Sequence, residues 1–254
     1  MVHQRLNHAT SGLLLGVDGL AGDWRLGLLA GYGVSSFEAP QRLSSGSSTN
    51  YHLGLYGGTE WGNIAFRSGL AYSWHDLSIS RAPVFPGFVD NLHAEYGAAT
   101  MQAFGELAYR VAGHGMHFEP FANLALVNLK MAGFSEAGGP AALSGQETAV
   151  NSAVATMGLR AEHDLVLGSA EATLHGMVGW RHAYGDSTPK AVQSFLSGAP
   201  FTITAAPLAT DSVVVEAGLD LQFAPGAALG LSYSGQFSAA TQNHGFRANL
   251  AVSF

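Results

Sequence analysis

The chain has 254 residues, 33 glycines, no cysteine and a formal net charge of −7. Apolar residues make up 47% and charged residues only 11%, against roughly 25% charged in ordinary soluble domains, which excludes a disordered chain. Acidic balance and a lysine count of two argue against a nucleic-acid surface, and the lack of cysteine excludes a disulfide scaffold or a Cys-ligated metal.

No run approaches the roughly 18 to 20 apolar residues of a membrane helix; Leu13-Leu14-Leu15-Gly16-Val17 is closed by Asp18. Met1 to Asn7 is polar and carries no cleavage pattern, so an exported protein would be represented here by a mature portion or a fragment.

From the N-terminus onward the pattern has period two. Residues 1–9 are polar and are expected to form a short N-terminal remnant outside the main body, 10–254. Eleven alternating segments follow, at 10–20, 23–38, 48–58, 62–80, 93–111, 115–131, 147–165, 169–184, 208–223, 227–239 and 242–254. In the second, Trp24, Leu26, Leu28, Ala30 and Tyr32 oppose Arg25, Gly27, Leu29, Gly31 and Gly33. In the fourth, Ile64, Phe66, Leu70, Tyr72 and Trp74 oppose Asn63, Ala65, Arg67, Gly69, Ala71 and Ser73. In the ninth, Val213, Val215, Ala217, Leu219 and Leu221 oppose a mostly polar set that includes Glu216 and Asp220. In the last, Phe246, Ala248, Leu250, Val252 and Phe254 oppose Gly245, Arg247, Asn249, Ala251 and Ser253.

The face opposite the bulky apolar one is crowded with Gly, Ala and Ser. The segments also exceed the usual globular strand of about 5 to 6 residues and reach the roughly 9 to 11 needed to cross a bilayer. Connections alternate: tight at 20–22, 59–61, 112–114, 166–168 and 224–226, long at 39–47, 81–92, 132–146 and 185–207. Short turns on one side and long loops on the other are the arrangement of outer-membrane barrels. The expected fold is all-β: an antiparallel up-and-down transmembrane β-barrel. Bacterial single-chain barrels have an even strand number, and an unpaired edge cannot rest in hydrocarbon. Eleven visible segments therefore imply a twelfth strand before about Thr10.

Several stretches carry a family resemblance. They are Glu119-Pro120-Phe121-Ala122-Asn123-Leu124-Ala125, Gly133-Phe134-Ser135-Glu136-Ala137-Gly138 and Ala142-Leu143-Ser144. Gly12 to Asp18, Leu28 to Gly33, Gly54 to Gly58, Ala71 to His75, Gly158-Leu159-Arg160, Gly179 to Asp186 and the terminal Phe254 agree with them. In this order and spacing, from residue 10 to the end, the chain resembles the autotransporter β-domain, the translocator of type V secretion. The resemblance implies a twelve-stranded barrel in the bacterial outer membrane, a helix plugging its lumen, and a secreted passenger upstream. The first strand, the helix and the passenger have no counterpart here. Expected partners are membrane lipids, the barrel-assembly machinery and the chain's own passenger.

Alternation directs Arg67, Glu106, Arg110, Glu119, Arg160, Glu162, Arg181, Glu216, Asp220 and Arg247 to the inner face, away from the cost of about 2 to 4 kcal/mol that Arg or Lys meets at the lipid midplane. They read as cross-strand ion pairs that hold barrel shape; the resemblance adds pore lining and contact with a plug. Leu250, Val252 and Phe254 match the terminal strand that the assembly machinery reads in outer-membrane proteins, with Asn249 where glycine is commoner. That reading would use strand addition at an edge.

Metal and hydrolase readings find weaker support. His114, His117 and Glu119 are close in sequence and His175 and His182 share a later segment, but His-Glu-x-x-His spacing is missing. No Gly-x-Ser-x-Gly elbow occurs, and His75-Asp76 and His163-Asp164 are neighbours whose side chains leave a strand on opposite faces. Neither catalytic residues nor cofactors are assigned. Trp24, Trp61, Trp74, Trp180, Tyr32 and Tyr72 fit interfacial girdles. The rival readings are a passive porin-like channel and an outer-membrane barrel hydrolase.

Overall fold

The structure is a computed structural model that describes residues 7–40, 43–113, 115–167, 170–185, 188, 190–195, 198–204, 209–224, 226–239 and 241–252. Eleven long strands follow one another along a single antiparallel path. They are β1 (Asn7–Ala21), β2 (Trp24–Ala39), β3 (Ser44–Trp61), β4 (Ile64–Arg81), β5 (Leu92–Tyr109), β6 (Met116–Met131), β7 (Thr148–Leu167), β8 (Ala170–Gly185), β9 (Asp211–Ala224), β10 (Ala227–Phe237) and β11 (Gln242–Val252). A short piece, Val111–Gly113, extends β5 past Arg110 and pairs with β6, making the sheet twelve-stranded by count. The sheet is curled into a half-barrel. The first strand begins at Asn7, three residues before the alternation becomes legible.

Turn chemistry sets the pairing at the short-turn end. Gly22-Asp23 and Gly62-Asn63 are two-residue hairpin loops, closed by the pairs Ala21–Trp24 and Trp61–Ile64. The glycines lie at φ +63° and +60°, the left-handed conformation that such loops require at their first position.

Register supplies the curl. A line of directly opposed residues starts at Trp24, just past a short turn. It runs through Thr59, Phe66, Leu107, Ala122, Met157, Trp180 and Val213 to Phe237, where β10 ends. The line thus climbs from the short-turn end to the long-connection end. Strands paired this way tilt against the axis, as barrel closure demands.

The two faces differ as the alternation predicts. Leu26, Leu28, Leu53, Leu55, Leu124 and Leu126 stand out from one face and are half or more exposed. The same face carries two aromatic bands. Trp24, Trp61 and Phe66 cluster beside the short turns. Toward the other end Tyr32 meets Tyr51, Tyr72 meets Trp74, and Trp180, His182 and Tyr184 follow one another along β8. The inner face buries polar groups: Asn50, Glu106, Glu119, Thr156 and Ser212 are all below one tenth exposed. Its apolar core is small, made of Ala65, Ala108 and Phe121 with Met177 against them.

The long connections are more ordered than their composition suggests. Phe134–Ser135, Leu143–Gly145, Lys190–Phe195 and Phe201–Thr204 form a separate four-stranded sheet at the far end. Both edges of the main sheet, β1 and β11, pair on one side only among the described residues.

Candidate functional site

The inner face carries its charges in rows, because residues directly opposed across antiparallel strands share a face. One row runs Arg67, Glu106, Asn123, Thr156, Arg181 and Ser212 across β4 to β9. The next, nearer the short turns, runs Glu119, Arg160, Met177, Glu216 and Ser234 across β6 to β10.

Five of the ten inner-face residues expected from the sequence meet in one network. Arg67 gives Nη1 to Glu106 at 2.9 Å and both Nη atoms to Glu119 at 2.8 Å. Arg160 reaches the same two carboxylates at 2.8 Å. Arg110 donates Nε to Glu119 at 3.1 Å and Nη1 to Glu60 at 2.8 Å. The Arg160 guanidinium also lies over the Phe121 ring, 3.9 Å from its centre. Glu106 and Glu119 each face two or more guanidinium groups at hydrogen-bond distance. Alternation alone cannot reveal this, since Arg67 and Glu119 are 52 residues apart and not on adjacent strands.

The first row continues through uncharged partners, with Arg181 among them. Asn123 donates to Glu106 at 3.4 Å. Arg181 donates Nε to Thr156 at 3.3 Å and Nη1 to Gln236 at 3.0 Å, and Gln236 donates to Ser212 at 3.1 Å. Sequence reasoning missed Asn123, Thr156, Gln236, Ser212 and Glu60. For the first four the available signal was an uncharged polar residue at an inward position of the alternation, whereas Glu60 falls within the expected tight connection 59–61.

The remaining expected residues lie apart from the network. Asp220 contacts His175 Nδ1 at 3.2 Å, and Glu162 sits directly opposite His175. Glu216 stands opposite Met177 and Ser234, and Arg247 opposite Ser232. Leu250 and Val252 belong to β11, both exposed, on the face with Phe246. Phe254 and His114 lie outside the described residues. His175 and His182, seven residues apart in β8, point to opposite faces. His175 faces inward, and His182 meets Asp211 at 2.9 Å on the outer face.

A second polar belt, also missed, crosses β1 to β5 toward the far end. Thr10 donates to Ser35 at 3.0 Å, Asn50 to Ser35 at 3.3 Å and Ser48 to Asn50 at 2.7 Å. His75 places Nδ1 2.7 Å from the Asn50 oxygen and Nε2 2.9 Å from Thr100. An amide oxygen only accepts, so His75 Nδ1 carries a proton in this arrangement.

Beside the charged network, on the short-turn side, the inner face holds a cavity of about 790 Å3. Arg25, Tyr56, Arg67, Phe104, Glu106 and Arg160 are among its lining residues. Asp18 ties its rim, accepting from Arg25 at 2.7 Å and from the Tyr56 hydroxyl at 3.2 Å. The chemistry of this surface is that of a wetted wall: paired charges, amides and hydroxyls interspersed with apolar side chains such as Leu29 and Phe104.

Known proteins share this architecture. The profile of the autotransporter beta-domain family matches residues 2–234. An extracellular serine protease of Serratia marcescens is 36% identical over 248 residues, which is 97% of this chain and 24% of that protein. The chain thus spans about a quarter of the length of the curated relatives it matches. Among solved structures, the translocator domain of the autotransporter NalP from Neisseria meningitidis superposes with a TM-score of 0.76 at 18% identity, covering 98% of this chain and 82% of that one. The beta domain of the Bordetella autotransporter BrkA gives 0.71 at 18% identity, covering 98% and 92%. The chain belongs to the autotransporter beta-domain family, the outer-membrane translocator barrels of type V secretion.

Proposed function

We propose that the inner face described above lines the path of a passenger polypeptide, and that Arg67, Glu106, Arg110, Glu119, Arg160, Glu162, Arg181, Glu216, Asp220 and Arg247 form its wall. The cavity of about 790 Å3 at the periplasmic, short-turn end carries this reading: Arg25, Arg67, Glu106 and Arg160 line it beside Leu29 and Phe104, and it lies on the concave side of a sheet whose other face is apolar. Hydrogen-bonded charges offer an extended chain many weak contacts. Neutralising each carboxylate with guanidinium groups keeps the wall from gripping a passing charge, because the field of each group is cancelled within a few ångströms.

The partners follow from the two edges and the outer face. The barrel closes when one further strand lies between β1 and β11, which satisfies backbone groups that lipid cannot. The β11 edge, with Leu250 and Val252, followed in the sequence by Phe254, is where the assembly machinery adds its own strand during insertion. The apolar outer face takes membrane lipids. Catalysis is not placed on the barrel, and the protease named in the Serratia relatives belongs to proteins of which this chain matches about a quarter.

The test is surface display. A protease-sensitive reporter is fused ahead of the chain through a helical linker and expressed in Gram-negative cells. The expected result is cleavage of the reporter by protease added to intact cells. A reporter that stays protected while the barrel is inserted and heat-modifiable overturns the translocator role for this chain. It would leave the passive-channel reading, for which steady ion conductance is the signature.

A further inference from the structure

The lipid-facing side of the sheet is not uniformly convex. Between β5 and β8 it recedes into a groove of about 530 Å3, lined by Met101, Ala103, Leu126, Ala153 and Tyr184. Ala103, Leu126, Ala153 and Tyr184 stand in one cross-strand row, so the two alanines leave space beside the longer side chains. Tyr184 packs on His182, itself beside Trp180, and so belongs to the outer aromatic band. The groove therefore opens at the level where acyl chains of the outer leaflet meet their headgroups.

Its upper end is polar. Asn128 donates Nδ2 to Asn151 Oδ1 at 2.7 Å directly across the pair β6–β7. Two residues further along β6, on the same face, stands Lys130. Its neighbours on the flanking strands are Ala99 and Ala149. Lys130 is exposed, and no ion pair joins it to a carboxylate among the described residues. It is one of only two lysines in a chain whose described arginines lie on the inner face or near the strand ends. A flexible ammonium above two amides, over an apolar groove, matches a phosphate headgroup above an acyl chain.

We infer that Met101, Leu126, Ala153 and Tyr184, with Asn128 and Lys130 above them, bind one acylated, phosphate-bearing lipid of the outer leaflet. The inference rests on the outer-membrane location of the barrel and not on its transport role. The lone cation argues for an anionic lipid over a second copy of this chain, whose facing surface would present the same lysine. The acyl-sized groove argues against a phosphate free in solution.

The chain, purified in a maltoside detergent from outer membranes, is incubated with bis-phosphorylated lipid A or with the same lipid after phosphatase treatment. Bound lipid is counted by mass spectrometry of the intact complex. The expected result is one lipid A per chain, with retention reduced about fivefold by Lys130→Gln, the size of one surface cation on an anionic lipid. Dephosphorylated lipid should bind the parent no better than lipid A binds Lys130→Gln. Filling the groove with Ala153→Phe should abolish retention of both; Ala103→Leu serves as the second filling variant, and heat-modifiable mobility on gels verifies that each is folded. Equal retention by parent, Lys130→Gln and the folded filling variants overturns the site, as does a dimer mass in place of a lipid adduct. Reporter display is measured on the same variants: display with no lipid retention sinks this inference alone and leaves the translocator role standing.

Discussion

At the scale of single residues, this barrel wall is shaped as much by what is missing as by what is present. Position 27 on β2 faces Tyr56 of β3, and the Tyr56 ring lies over the glycine where a Cβ would be. Its hydroxyl is then anchored on Asp18 of β1, two strands away from its own. Gly27→Ala pushes the ring off this seat, at the roughly 1 to 3 kcal/mol typical of overpacking. The expected outcome is a lower unfolding temperature by heat-modifiable gel mobility, mostly recovered when Tyr56→Ala is added. An unchanged transition in the single variant would show that the ring has other room.

Charge works at the same scale. Glu106 has 7% of its side chain exposed, with Arg67 and Arg160 on either side. Glu106→Gln leaves two guanidinium groups facing a neutral amide, and the loss of charged hydrogen bonds costs roughly 1 to 3 kcal/mol. Replacing the whole cluster by apolar groups need not destabilise the fold, since buried ion pairs return little net energy. A double-mutant cycle between Glu106→Gln and Arg160→Met, followed by urea unfolding in detergent, should give a coupling of at least about 0.5 kcal/mol. Strict additivity would mean that the network is geometry without energetic content.

At the scale of an element, each strand is a two-sided object, and β2 shows it within two consecutive residues. Leu28 is 59% exposed on the lipid side, whereas Leu29 lines the inner cavity. Leu28→Lys should cost about 2 to 4 kcal/mol near the bilayer midplane and reduce the inserted fraction, while Leu29→Lys should insert nearly as well as the parent. Membrane fractionation with a folding-dependent gel shift reads both. Equal insertion of the two variants would overturn the assignment of faces. That assignment was legible in the sequence, because strand alternation is local: a pleated backbone sends neighbours to opposite sides whatever else the chain does. The small strands in the long connections were not legible. Phe134–Ser135 and Leu143–Gly145 are too short to show a period, and their sheet is completed by Lys190–Phe195 and Phe201–Thr204 arriving from another loop.

At the scale of the whole molecule, the extracellular connections form one linked body. Arg81, at the end of β4, holds Glu136 through two hydrogen bonds of 2.6 Å and also donates to the Ala141 carbonyl. Glu136 accepts from the Leu143 backbone, and Asp90 of the neighbouring connection accepts from the backbone of Ala141. Residues 82–91 are thereby clasped to 132–147, which are in turn paired with Lys190–Phe195. Arg81→Ala loosens the clasp, leaving the Asp90 contact, without touching the spanning region. Protease added to intact cells should then cut within 132–147 several times faster, with the barrel still heat-modifiable. An unaltered cleavage rate would locate the order of these connections elsewhere.

The amino-acid sequence by itself determined the strands, their two faces and the alternation of short turns with long connections. All of these follow from periodicity and turn chemistry acting over a few residues. Only the tertiary structure decided which charges meet. Arg67, Glu119 and Arg160 come together because the sheet is sheared and curled, and that register is summed over many strands, with no trace in any one of them. Curvature likewise decided where the lipid-facing side recedes beside Lys130. A groove belongs to several strands at once, and its depth depends on the volumes of side chains that become neighbours only when those strands pair in register.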